Sequence, residues 1–154
     1  IDDFIYESRP NAYMVVHTKT PTNIHTDIHP AVFEHHYLWH NGLLKQSTIE
    51  SLQTQHNTTE TWDTKLLLQH LSKDGDLNQI DGSFACILLK KELYIFRNEI
   101  APLHTDLSLN ISSVSFEQSS IIAPGAFIKI DLKKALFINE KTTFQTACMP
   151  YVIL

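Results

Sequence analysis

Apolar and polar positions follow two different periods along this chain, and the change of period separates helices from strands. Residues 13–18 and 35–40 are rich in β-branched and aromatic side chains and read as strands. Residues 47–55 and 63–72 read as helices. In the second, Leu66, Leu67, Leu68 and Leu71 recur at helical spacing, and Asp63 stands where a carboxylate suits the positive end of a helix. Past residue 80 strands take over. Residues 84–89 and 93–96, joined by Lys90-Lys91-Glu92, form a predicted hairpin, and further strands are expected near 109–116, 126–131, 135–139 and 144–152. The chain has four glycines, with Pro124-Gly125 as its clearest turn, so few breakers fall inside elements. Helices among strands, followed by a run of strands, predict an α+β domain of stacked antiparallel sheets with helices outside.

Composition narrows the function classes. With 154 residues and 43% hydrophobic content the chain is expected to fold as one domain over 1–154, large enough for a core. The net charge is −5, and Lys and Arg are scattered, so no nucleic-acid footprint is expected. No apolar stretch approaches membrane-spanning length, and a start carrying Asp2, Asp3 and Glu7 does not read as a signal peptide. Two cysteines give no disulfide framework and fit a reducing compartment, so a cytoplasmic location is expected.

The segment Tyr37-Leu38-Trp39-His40-Asn41-Gly42 carries the most chemical information. Locally, Asn-Gly is the commonest tight-turn dipeptide and reads as a hairpin. The same pair also offers a side-chain amide and an unencumbered backbone N–H at one point, which is the donor set of an oxyanion hole. Around it lie Ser8-Arg9-Pro10-Asn11-Ala12, His17-Thr18-Lys19-Thr20-Pro21-Thr22, His29-Pro30, Trp62-Asp63-Thr64-Lys65, Ile80-Asp81-Gly82-Ser83-Phe84-Ala85, Arg97-Asn98, Pro102-Leu103, Ser112-Ser113 and Pro124-Gly125. In that order, over nearly the whole chain, these segments resemble the glutaminase domain of the class II (N-terminal-nucleophile) glutamine amidotransferases, as in the hexosamine-phosphate synthase and asparagine synthetase families. The resemblance implies a four-layer αββα sandwich, which periodicity alone does not give. It implies conversion of glutamine to glutamate and ammonia with no cofactor, and a synthetase or structural partner, or a second copy of the chain.

Carried over residue by residue, the resemblance makes Asn41 and Gly42 the oxyanion hole. It makes Lys19, Thr22, His29 and Asp63 the glutamine-binding residues. Lys19 stands where the family has an arginine that clamps the substrate carboxylate, and it offers a point charge in place of a bidentate fork. Asp63 matches the carboxylate that receives the substrate ammonium, and an Asp at a helix start is equally a cap. The family's nucleophile is a cysteine at residue one, where this sequence has Ile1, a side chain with no lone pair for an amide carbon. Relative to the family the first strand is missing, and the domain is expected to be inactive as it stands or a catalytically dead module kept for structure or binding. Lys65, and Asn98 in place of Asp, depart from the pattern in the same direction.

Two other clusters read as bland. His25-x-Asp27-x-His29, among nine histidines, would align three ligating side chains on an extended segment, but no metal site is expected. Cys86 lies in the apolar run Phe84-Ala85-Cys86-Ile87-Leu88 and reads as an inert core thiol, as does Cys148.

Overall fold

The computed structural model describes residues 13–17 and 27–145, with the side chains of 139–142 left aside. Strands β1 (Ala31–Phe33) and β2 (His36–Leu44) are followed by helices α1 (Gln46–His56) and α2 (Asp63–Ser72). A short 3₁₀ turn (Leu77–Gln79) leads into β3 (Gly82–Leu89) and β4 (Leu93–Arg97). Three two-residue strands follow: β5 (His104–Thr105), β6 (Ile111–Ser112) and β7 (Ser120–Ile121). Strands β8 (Ala126–Asp131) and β9 (Leu136–Thr143) complete the elements. The long strands form a six-stranded sheet in the order β1-β2-β3-β4-β8-β9, and the short ones a three-stranded sheet in the order β6-β5-β7. Every pairing is antiparallel.

The period-2 alternation along β3 divides the core in two. Phe84, Cys86 and Leu88 turn to one face, where Leu38 and Phe96 join them and Leu52 of α1 and Leu66, Leu67, Leu68 and Leu71 of α2 cover them. Ala85 turns to the other face with Leu93, Ile95 and Ile130, under Leu103, Leu109 and Ile122 from the segments around the small sheet. The described residues therefore stack as a helix layer, a large sheet and a small sheet. A second helix layer, which the four-layer expectation calls for, is not found among them. No helix among the described residues is long and apolar enough to cross a membrane.

Buried polar groups fix the small sheet and its loops to the large one. Arg97, 6% exposed, donates from Nε to Ile122 O at 2.7 Å and from Nη1 to Asn98 O and Ala101 O at 2.8 and 3.0 Å. Asn98, fully buried, donates to Gly82 O at 2.7 Å and accepts from Phe84 N–H at 3.2 Å. Asp81 pairs with Lys45 at 2.7 Å, and its carbonyl accepts from Lys45 N–H at 3.0 Å, closing β2 onto β3 just before α1. These contacts give structural duties to Asp81, Gly82, Arg97 and Asn98.

The predicted helices and the β3–β4 hairpin lie where the pattern puts them, and four expectations need correction. Residues 13–17 form no strand: Tyr13 Oη donates to Leu109 O at 2.7 Å, and the segment packs across the second core without entering a ladder. The strand expected over 109–116 shrinks to β6. Asp106 takes the N–H groups of Ser108 and Asn110, both at 2.9 Å, and Ser112 Oγ takes that of Val114 at 3.0 Å, so side chains satisfy backbone that a ladder would otherwise use. β2 runs on to Leu44, so Asn41-Gly42 lies inside a strand and the hairpin reading of that dipeptide fails. Of the strand expected over 144–152, residues 144 and 145 are not in a strand and the rest lies outside the described residues.

Candidate functional site

Strand β2 sends its side chains alternately to the two cores. Leu38, His40 and Leu44 are buried, His40 beneath the helices, whereas Asn41 and Leu43 are exposed. Asn41 lines a cavity of about 200 Å³ with Val15 and His17 from the N-terminal segment, Trp39 beside it, and Ser112 and Ser113 at the edge of the small sheet. Its amide makes no hydrogen bond with another described residue. Gly42 follows with φ at +142°, and a Cβ placed there would lie 1.9 Å from Ser83 O. The tight approach of β3, independently of any chemistry, requires glycine. A larger cavity of about 730 Å³ opens on the helix side beside Tyr94, Phe127 and Phe144, and none of the predicted site residues lines it.

His40 is held from both sides. Its Nε2 lies 3.1 Å from Ser83 O, which only accepts, so Nε2 carries the proton; Nδ1 then accepts from the Thr64 hydroxyl at 3.2 Å. Burial holds the ring's pKa below its ordinary value, against the opposing pull of Asp63 and the Ser83 bond. The imidazole is therefore neutral, and it ties β2 to the start of α2.

Asp63 sits at that helix start. Oδ1 accepts from Thr64 N–H at 2.7 Å and Oδ2 from Leu44 N–H at 3.1 Å. β1 begins with Ala31 opposite Leu38 and runs back to Phe33 opposite His36, and among the described residues no strand pairs with β2 beyond Leu38 on the same edge. Asp63 thus satisfies a strand-edge donor and the N–H of Thr64 in the first turn of α2, whose N-cap position is held by Trp62, and it does not line the cavity that Asn41 lines. His29 packs its ring 4.1 Å from His17 and 5.4 Å from Trp62, between the cavity wall and the start of α2.

Of the six residues expected to bind or stabilise substrate, then, Asn41 lines the cavity, and Gly42, next in the strand, is not among its lining residues. His29 reaches the cavity through His17, Asp63 stands apart at the helix start, and Lys19 and Thr22 lie outside the described residues. His25 also lies outside them, and no group of three or more His, Cys, Asp or Glu among the described residues is arranged to hold a metal. Cys86 is 1% exposed, and burial first, then the charge of Asp63, push its thiol well above the ordinary range. It is a core thiol and no nucleophile. Sequence reasoning missed the His40–Thr64–Ser83 linkage. The alternation of β2 carried the signal, since it sends His40 to the same face as Leu38. No protein-family model matches the chain, and no curated protein matches it.

Proposed function

We propose that this chain is a glutaminase-type amidotransferase domain of αββα architecture that binds glutamine. In that reading Asn41 Nδ2 and Gly42 N–H face the carbonyl oxygen of the glutamine side-chain amide, where negative charge develops when a thiolate adds to the carbon. Lys19 takes the ligand's carboxylate, with Thr22 and His29 along the wall; Asp63, whose oxygens hold the N–H groups of Thr64 and Leu44 away from that cavity, is left out of the ligand set. Collapse of the adduct expels ammonia, and water then releases glutamate. The thiolate is the unsupplied part. Among the described residues Cys86 is a buried core thiol and cannot provide it, so glutamine binding is the activity proposed for them.

One observation carries this reading: Asn41 lines a cavity, and its amide makes no hydrogen bond with another described residue. A structural role for the remaining motif residues is the second reading, favoured by the engagement of both Asp63 oxygens with backbone N–H groups. Adding L-glutamine to ¹⁵N-labelled protein separates the two. The expected result is saturable movement of the Asn41 side-chain NH₂ and Gly42 amide signals, absent with D-glutamine, and no ammonia release above background. Unmoved signals at saturating glutamine would leave only the structural reading. Ammonia release abolished by Cys86→Ala would overturn the assignment of that thiol.

A further inference from the structure

Two histidines on neighbouring helices, away from the cavity of Asn41, hold ring nitrogens with nothing to bind. His70 of α2 is fully buried. Its Nε2 lies 3.1 Å from Asp76 O; a carbonyl only accepts, so Nε2 bears the proton and Nδ1 is left with a bare lone pair. That Nδ1 is buried and has no hydrogen-bond partner. His56, at the end of α1, sets its ring edge-on to His70 with centroids 5.6 Å apart, and its Nε2 is likewise buried and unpartnered. Gln69 Oε1, from the residue before His70, is a third buried acceptor without a donor. Buried polar atoms left unsatisfied are costly and rare, and when they gather they mark a water or an ion.

We infer that His56 Nε2 and His70 Nδ1 form a binding site for a divalent first-row transition ion of the imidazole-preferring class, such as Zn²⁺ or Ni²⁺. Two imidazoles sharing an ion at ~2.0–2.1 Å from each nitrogen, with a tetrahedral to trigonal angle at the ion, have ring centroids roughly 5–5.5 Å apart. The observed 5.6 Å needs only a small closure. The bond from His70 Nε2–H to the Asp76 carbonyl is the outer contact that metal-binding histidines usually make, since it fixes the tautomer and aims the lone pair. Gly75 allows that carbonyl to close in, because a Cβ there would lie 2.5 Å from three atoms of the His70 ring. His56 is half-buried, which leaves a path for the ion. Water would complete the ligand set.

The test uses the full chain, stripped with chelator and titrated with zinc chloride and nickel chloride by calorimetry. The ring nitrogens are followed in parallel by long-range ¹H–¹⁵N correlation spectra. One-to-one binding is expected, with His56 Nε2 and His70 Nδ1 as the nitrogens that move. His56→Ala should weaken it at least about tenfold, the loss of one of two imidazole ligands, whereas His35→Ala in the β1–β2 turn should not. The ring-nitrogen readout is made on the unsubstituted protein and so does not depend on a variant that folds. Absence of binding, binding undiminished in His56→Ala, or movement confined to other histidines would overturn the site and leave a bridging water as its occupant.

Discussion

Replacing Gly42 with alanine tests the central claim about β2. The added Cβ would lie 1.9 Å from Ser83 O and 2.5 Å from Ser83 C, both backbone atoms of the neighbouring strand, and 3.0 Å from His40 Nε2. No rotamer relieves such a contact. Either β3 withdraws by more than about 1 Å or Gly42 leaves φ +142°, a region that costs a side-chain-bearing residue roughly 1–3 kcal/mol. Withdrawal loosens the β2–β3 ladder around Ser83 and the His40 bond to the same carbonyl, at about 1 kcal/mol for each hydrogen bond displaced. Together these give a loss of about 3–5 kcal/mol, a large part of the ~5–15 kcal/mol that holds an ordinary domain folded. In urea, where a small domain loses about 1–3 kcal/mol per molar, the midpoint should fall by more than about 1 M. Leu43→Ala is the comparison: that side chain is 62% exposed and its removal should shift stability by about 0.5 kcal/mol or less. A Gly42→Ala protein within about 1 kcal/mol of the parent would refute the close approach and the strand register from which it follows.

Other outcomes follow from the same contacts. His40 and His56 both have folded-state pKa values below the ordinary 6.5, so unfolding takes up protons; stability is whole above about 6.5 and falls as pH drops below it. The slope from His40 alone approaches about 1.4 kcal/mol per pH unit, and a urea midpoint unchanged between neutral pH and pH values well below 6.5 would contradict the neutral, buried ring. Asn98→Asp should destabilise by roughly 3 kcal/mol or more, because a carboxylate cannot donate to Gly82 O and would be buried against it; a thermal melt within a few degrees of the parent would refute this. Cys86 should resist iodoacetamide in the native protein and label only on unfolding, as read by peptide mass, and native labelling at Cys86 would show that the helix layer does not cover it.

The helices and the β3–β4 hairpin were legible because each presents one clean period to one core: Leu66, Leu67, Leu68 and Leu71 on α2, and Phe84, Cys86 and Leu88 on β3. The small sheet was not legible. Its strands are two residues long, too short for any alternation to register, and its loops are organised by Asp106 and Ser112 side chains that act on nearby backbone. Asn41-Gly42 was misread locally for a related reason. The glycine answers to Ser83, which is distant in sequence and adjacent in the sheet, and a turn rule sees only near neighbours. The site was partly legible: chemistry singled out Asn41, which lines a cavity, while the engagement of Asp63 with Leu44 N–H required knowing that the β1–β2 pairing extends no further than Leu38.

That engagement also decides how much each motif residue can say about function. Asp81 is committed to Lys45, Asn98 to Gly82 and Phe84, Asp63 to Thr64 and Leu44, and Gly42 to the closeness of Ser83. A scaffold with no activity would need all of them, so their presence argues for the fold and leaves the chemistry open. Asn41 differs. It is exposed, its amide binds no described residue, and it stands in a strand, where asparagine is disfavoured. Asn41→Ala should therefore leave stability within about 0.5 kcal/mol. If Asn41 is an oxyanion donor, its loss should weaken or abolish the glutamine-dependent movement of the Gly42 amide. Unaltered movement of Gly42 in Asn41→Ala would assign glutamine to some other contact and remove the residue on which the proposed function rests.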